Sequence, residues 1–292
     1  MILNPFLEYG RKTYVMGIIN VTPDSFSGDG LLDRQDTIRA ALEQAEQFVE
    51  HGAEILDIGG ESTRPGAQPV SASEEVNRVI PVIEAVASSG LNALISVDTY
   101  KASVARAALA AGANWINDIW GLRADPEMAP LVAAAGVPVV IMHNRLKPST
   151  PELQERLGGH YIGVQYDNLI SDIQSELQQS IAIAHQAGIS DRQIILDPGI
   201  GFGKTVEQNL ELIDKLGEIK GMGYPLLIGP SRKSFIGYTL DLPPQERIEG
   251  TAAMVVLGIA RGADIVRVHD VEVMSRIVRM TDAVVHRNRS EA

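Results

Sequence analysis

Eight short apolar runs of β-type composition recur along this chain, and nearly every one closes on a polar or charged residue. They span residues 14–20, 54–60, 93–98, 115–118, 138–143, 193–197, 225–229 and 264–269. The segments between them carry helical apolar spacing. Thr37 to Val49 puts Ile38, Ala41, Leu42, Ala45 and Val49 on one stripe, and Glu74 to Ala87 does the same with Val76, Val79, Ile80, Ile83 and Val86. Ile170 to Ala184 and Met274 to Val285 repeat the pattern. Glycines at 52, 112, 136, 188 and 262 follow helical segments, where a left-handed residue ends a helix. Strand and helix alternating eight times predict an α/β chain folded as a (β/α)8 barrel, the TIM-barrel architecture. No linker or composition break interrupts the series, so residues 1–292 read as a single domain.

Bulk properties narrow the function classes. Twenty-five basic residues against 37 acidic ones give a net charge of −12, which opposes binding to nucleic acid. An anionic substrate therefore needs a local cationic pocket. The absence of cysteine excludes disulfides, iron–sulfur clusters and a thiol nucleophile, and fits a reducing cytoplasm. No run of 18 apolar residues predicts a membrane span. The first residues lack the basic and apolar regions of a signal peptide.

In such barrels the chemistry sits at the C-terminal ends of the strands. There the chain places Asn20, Asp57, Asp98, Asn117, Asp197, Lys233, Arg267 and His269, with Thr63 and Arg64 overhanging from a Gly- and Pro-rich connection. Any one could be a satisfied core polar group; their convergence on one face argues for a site. Asp98, Asn117 and Asp197 offer acceptors over an expected apolar floor of Ile19, Val97, Met142 and Phe202. That set suits a flat nitrogen heterocycle whose N–H groups donate to a carboxylate. Arg64, Arg267 and His269 form a cationic subset suited to phosphate oxygens, and Asn20 beside it offers a hard ligand for Mg²⁺ shared with them. The connections 22–34, 61–73 and 144–163 are long enough for lids or binding loops. Pro198 to Thr205 looks like a P-loop but has Pro where the first Gly is required, and the six histidines form no zinc-type pair.

These residues lie in blocks that resemble the dihydropteroate synthase family. Gly17 to Ser27 (GIINVTPDSFS) and Asp57 to Gly66 (DIGGESTRPG) are similar to its two signatures. Ser96 to Thr99, Ile116 to Asp118, Leu196 to Lys204, Ser231 to Phe235 and Arg267 to Asp270 match further blocks in family order. The resemblance implies condensation of 6-hydroxymethyl-7,8-dihydropterin diphosphate with 4-aminobenzoate, by an SN1-like step, to 7,8-dihydropteroate and pyrophosphate. It implies that Asn20, Thr63, Arg64, Lys233, Arg267 and His269 carry the chemistry, with Asn20 on Mg²⁺. It assigns substrate contacts to Phe26, Thr63, Pro65, Asp98, Asn117, Met142, Asp197, Phe202, Ser231, Lys233 and Arg267. It also implies a homodimer. The chain departs from the family pattern after Met142-His143, where Asn144 to Pro148 replaces the usual Met and Gly-rich turn. Two rival classes remain at this point: a pterin-binding methyltransferase barrel, which has little use for Lys233, Arg267 and His269, and a catalytically silent binding barrel.

Overall fold

The computed structural model describes residues 4–22, 34–62, 69–145, 152–154, 156–160 and 165–287. The strands are β1 (Tyr14–Asn20), β2 (Ile55–Gly59), β3 (Leu94–Asp98), β4 (Trp115–Asp118), β5 (Val139–Met142), β6 (Glu152–Gln154), β7 (Gly158–His160), β8 (Ile194–Asp197), β9 (Leu227–Ile228) and β10 (Ile265–Val268). Eight of them form one parallel sheet in the order β8-β5-β4-β3-β2-β1-β10-β9, and a parallel bridge between Leu196 and Leu226 closes the ring. The helices around it are α1 (Arg34–Glu50), α2 (Ala72–Ser88), α3 (Ala102–Ala111), α4 (Met128–Ala135), α5 (Leu169–Gln186), α6 (Val206–Asp214), α7 (Leu216–Lys220), α8 (Ser234–Leu240), α9 (Ile248–Ala260) and α10 (Val271–Val285). The molecule is thus an α/β (β/α)8 barrel, as the alternation of runs predicts. All five glycines expected to stop helices have positive φ. The connection after β5 differs from expectation, because β6 and β7 form an antiparallel hairpin within it.

Strand alternation sorts side chains into two cores. Outward residues such as Val15, Leu56 and Val139 join the helices in the main cluster. Inward residues Met16, Ile55, Leu94, Trp115, Val140, Ile195, Leu227 and Ile265 plug the barrel from the N-terminal side. Full burial of each such side chain stabilises the fold by about 1.5–3 kcal/mol. Trp115 donates its indole N–H to the Pro5 carbonyl at 2.6 Å, which ties the N-terminal segment across that end. Above the plug the inward series turns polar: Asp57 and Ser96 share one register row, and Asn20, Gly59, Asp98 and Asn117 share the next. The same alternation corrects one expectation. Ile19 and Val97 belong to the outer cluster and do not floor the cavity, because their neighbours Asn20 and Asp98 take the inward positions.

A buried arginine organises the loops at the C-terminal end. Arg247, 2% exposed, donates to the carbonyls of Arg232 and Leu157 at 2.9 Å and to Leu242 at 2.9 and 3.0 Å. It thereby links the β6–β7 turn to the segment that carries Ser231 and Lys233. Gly237 in α8 makes room for it: a Cβ there would lie 2.1 Å from Arg247 Nη2. Gly→Ala inside a helix ordinarily stabilises by about 1 kcal/mol. Here overpacking, at about 1–3 kcal/mol, outweighs that gain. Gly237→Ala is therefore expected to lower the melting temperature; a rise on thermal denaturation would contradict this packing.

Candidate active site

The inward polar residues meet around one guanidinium. Asp57 is fully buried, and its Oδ2 accepts from Arg267 Nε at 2.5 Å and Asn117 Nδ2 at 2.9 Å. Arg267 Nη2 donates to Asp98 Oδ2 at 2.5 Å. The side chains of Asp98 and Arg267 are 12% and 19% exposed, so both are reached from the open end, whereas Asp57 lies one layer below. This corrects the expectation of separate acidic and basic halves. The barrel interior is too narrow to keep unpaired charges apart, and Arg267 is neutralised by the carboxylates beside it.

The electrostatics follow from burial. Desolvation pushes the Asp98 carboxyl up to about 7, against the pull of Arg267, with Asp57 adding to the rise. Burial likewise raises Asp197 to about 6, opposed by the Gly199 N–H at 2.7 Å and by Lys233, Lys204 and Arg267. Arg267 moves the other way: burial disfavours its charge, but Asp57 and Asp98 more than offset that and hold it cationic. A cluster with more carboxylates than its guanidinium can neutralise has room for a ligand that donates N–H groups.

Met142 of β5 and the segments after β8, β9 and β10 supply the opposite wall. Lys233 Nζ sits 4.0 Å from the centre of the Phe202 ring, a cation–π contact. Met142, Phe202 and Ile119 form a separate apolar cluster at this end, with Tyr100 and Trp120 packed against it. Ser231 Oγ accepts the His269 backbone N–H at 3.2 Å and lies 3.0 Å from Nδ1, which fixes the imidazole at the end of β10. Arg232, with φ +56°, turns the chain between Ser231 and Lys233 and is clamped by both oxygens of Asp270. Asn20, half-buried, ends β1 in the register row of Asp98.

Of the residues expected at the site, Asn20, Asp98, Asn117, Met142, Asp197, Phe202, Ser231, Lys233, Arg267 and His269 all lie at this end of the barrel. Phe26, Thr63, Arg64 and Pro65 lie outside the described residues. Three groups beside the site carried no role in the sequence reading. Lys204 is buried beneath the loop after β8, His143 lies beside it, and Glu176 on α5 accepts from the His143 ring. Burial and the nearby Lys204 lower His143 to about 4. Glu176 is held at about 2, because bonds from His143 and Arg145 outweigh its desolvation. Only the position of Lys204 at the end of a glycine-rich run hinted at this cluster.

Residues 16–269 match the family described as pterin binding enzyme. The chain is 52% identical to the dihydropteroate synthase of Bacillus subtilis (strain 168), over 96% of this chain and 92% of that protein. Among solved structures it superposes on dihydropteroate synthase from Clostridium difficile in the presence of pteroic acid. That match has a TM-score of 0.86 and 46% identity and covers 96% of this chain and 99% of that one. It also superposes on the Xanthomonas albilineans dihydropteroate synthase with 4-aminobenzoic acid, with a TM-score of 0.83 and 41% identity, covering 94% and 93%. Taken with a barrel whose C-terminal end holds Asn20, Asp98, Asn117, Asp197, Lys233, Arg267 and His269 from the family's blocks, these likenesses place the chain in the pterin-binding enzyme family, among the dihydropteroate synthases.

Proposed function

We propose that this chain condenses 6-hydroxymethyl-7,8-dihydropterin diphosphate with 4-aminobenzoate, giving 7,8-dihydropteroate and pyrophosphate. The observation that carries the reading is the single ring in which Asp98, Asn117 and Asp197 adjoin Lys233, Arg267 and His269. The Clostridium difficile relative was solved with pteroic acid, a pterin joined to an aminobenzoate, and the Xanthomonas albilineans one with 4-aminobenzoic acid. Both halves of the product are thus represented among relatives. A methyltransferase barrel would have little use for Lys233, Arg267 and His269, and a silent barrel would not need to keep them.

In this reading the pterin lies on Met142 and Phe202. Asp197 and Asp98 accept its N–H groups, and the Asn117 carbonyl stays available because Asp57 takes an amide N–H. Lys233 donates to the ring from above Phe202. As the C–O bond to the diphosphate breaks, positive charge develops on the pterin methylene, where the buried carboxylates stabilise it. Arg267 and His269 hold the departing anion, and the aryl amine attacks the cation without a covalent enzyme intermediate, its N–H proton passing to the released pyrophosphate or to solvent. Thr63, Arg64, Pro65 and Phe26 are proposed on the aminobenzoate side from the family's pattern. Asn20 supplies one hard oxygen, and among the described residues no three His, Asp or Glu form a metal cluster. This donor set fits Mg²⁺ held by Asn20 together with substrate phosphate oxygens, where it would neutralise the leaving group.

Three further readings belong here. Residues 1–292 are read as one pterin-binding barrel unit. A homodimer is supported by exposed Val256 and Leu257 on α9 beside exposed Met280 and Val284 on α10, an apolar face that a second copy would cover. The cysteine-free composition supports a cytoplasmic location, and among the described residues no helix is long and apolar enough to cross a membrane.

Mixing the two substrates with the protein and Mg²⁺ is expected to release pyrophosphate, and a chelator should stop the release. No release with Mg²⁺ would refute the reading. Asp98 and Asp197 must be ionised to accept pterin N–H groups. Hence kcat/KM for the pterin diphosphate should rise between about pH 6 and 7 and level off above; a fall over that window would contradict the assignment. Arg267→Lys keeps a charge but loses the fork, so kcat/KM should drop about 10- to 100-fold. Unchanged kinetics would remove Arg267 from the site.

A further inference from the structure

Lys204 is the lysine of the P-loop-like run, and it does what a P-loop lysine does not. Its backbone leads into α6, whose Thr205 cap bonds Gln208, while its side chain turns back beneath the loop it has just left. It is 3% exposed. Its ammonium donates to the carbonyls of Gly199 at 2.8 Å and Phe202 at 3.1 Å, and lies 3.1 Å from His143 Nδ1. Among the described residues no carboxylate touches it. Three acceptors meet three N–H donors, a match that a neutral amine with two N–H groups cannot make.

The neighbouring groups fix that protonation pattern. Glu176, bonded by Arg145, stays ionised and accepts a hydrogen bond from the His143 Nε2–H at 3.1 Å, which leaves Nδ1 as the acceptor facing Lys204. The loop above has no slack. A Cβ on Gly199, with φ +71°, would fall 1.9 Å from the His143 carbonyl, and the Gly199 N–H bonds Asp197 Oδ1. The Phe202 N–H closes the turn on the Gly199 carbonyl at 3.1 Å. The same ammonium therefore anchors both ends of the segment between a pterin acceptor and the ring beneath Lys233.

We infer that Lys204 is a positioning residue of the pterin pocket, an internal cation around which the Asp197–Phe202 loop is folded so that carboxylate and ring face the substrate together. This rests on the reaction proposed above. The charge has a second effect. Lys204, with Lys233 and Arg267, favours the ionised form of Asp197 against its burial. Lys204 itself is lowered to about 7 by burial, partly offset by Asp197 and Glu176, with Lys233 and Arg145 adding to the fall. Removing the ammonium should therefore both loosen the loop and make Asp197 harder to ionise.

The test compares wild type with Lys204→Met and Lys204→Gln. Each variant is expected to raise KM for the pterin diphosphate about tenfold or more, with a smaller change in kcat. Each should also move the acidic limb of the kcat/KM profile to higher pH. A lysine that merely fills the core would lower the melting temperature and the active fraction while KM and the limb stay put, and that result overturns the inference. Wild-type turnover measured alongside separates the two claims: no pyrophosphate release indicts the reaction, whereas normal release with unmoved variants indicts Lys204. Should the variants not fold, wild type labelled with ¹⁵N-lysine decides. One Nζ resonance with slow hydrogen exchange should shift when 6-hydroxymethyl-7,8-dihydropterin is added; its absence, or its indifference to the pterin, overturns the inference.

Discussion

A single guanidinium between two carboxylates holds the centre of this barrel. Arg267 points inward because β10 alternates, and once inside it must be paired, since an isolated buried charge is far too costly to keep. Asp57 and Asp98, on β2 and β3, supply the pair, and Asp57 uses the same oxygen to fix Asn117. Three strands and the neighbouring β4 are thereby tied at the layer where apolar plug gives way to cavity. Asp98, one of the carboxylates that satisfy Arg267, is itself pushed up by burial. Asp98 sits close to neutrality, and Asp197 across the ring is raised as well. A pterin, with several N–H donors and charge building on its methylene, relieves that electrostatic tension. A ring without N–H donors would gain less from it.

Around this centre the loops are organised by two buried cations that, among the described residues, touch no carboxylate. Arg247 is enclosed by the carbonyls of Leu157, Arg232 and Leu242, and Lys204 by those of Gly199 and Phe202. Both lie beneath loops that carry site residues: Arg247 under Ser231 and Lys233, Lys204 under Asp197 and Phe202. Backbone carbonyls that cannot join a strand or helix still need donors. A buried guanidinium or ammonium supplies several at once, so each loop takes one shape and its side chains arrive at fixed positions.

Much of this was legible in the residues. The apolar runs and the glycines after helices are local signals, and each maps onto a strand or a left-handed stop. The polar ends of those runs identify Asn20, Asp98, Asn117 and Asp197 because chemistry in a barrel is confined to one end. Facing was harder. Ile19 and Val97 sit beside inward residues and are equally apolar, so only the register shows that they turn toward the helices. Pairing was harder still. Whether Arg267 meets phosphate or carboxylate depends on residues 169 and 210 positions away, and no spacing rule covers those separations. Lys204 eluded the sequence because a lysine after glycines reads as exposed or phosphate-binding, and only the path of the chain reveals that it folds under its own loop.

Arg267 is held in place for the substrate by Asp57 behind it. Asp57→Asn tests this directly, since it preserves shape, lies out of the ligand's reach and removes only the charge behind the guanidinium. Calorimetric titration with the pterin diphosphate, without aminobenzoate, should show affinity weakened about tenfold or more. Wild-type affinity in Asp57→Asn would contradict the account.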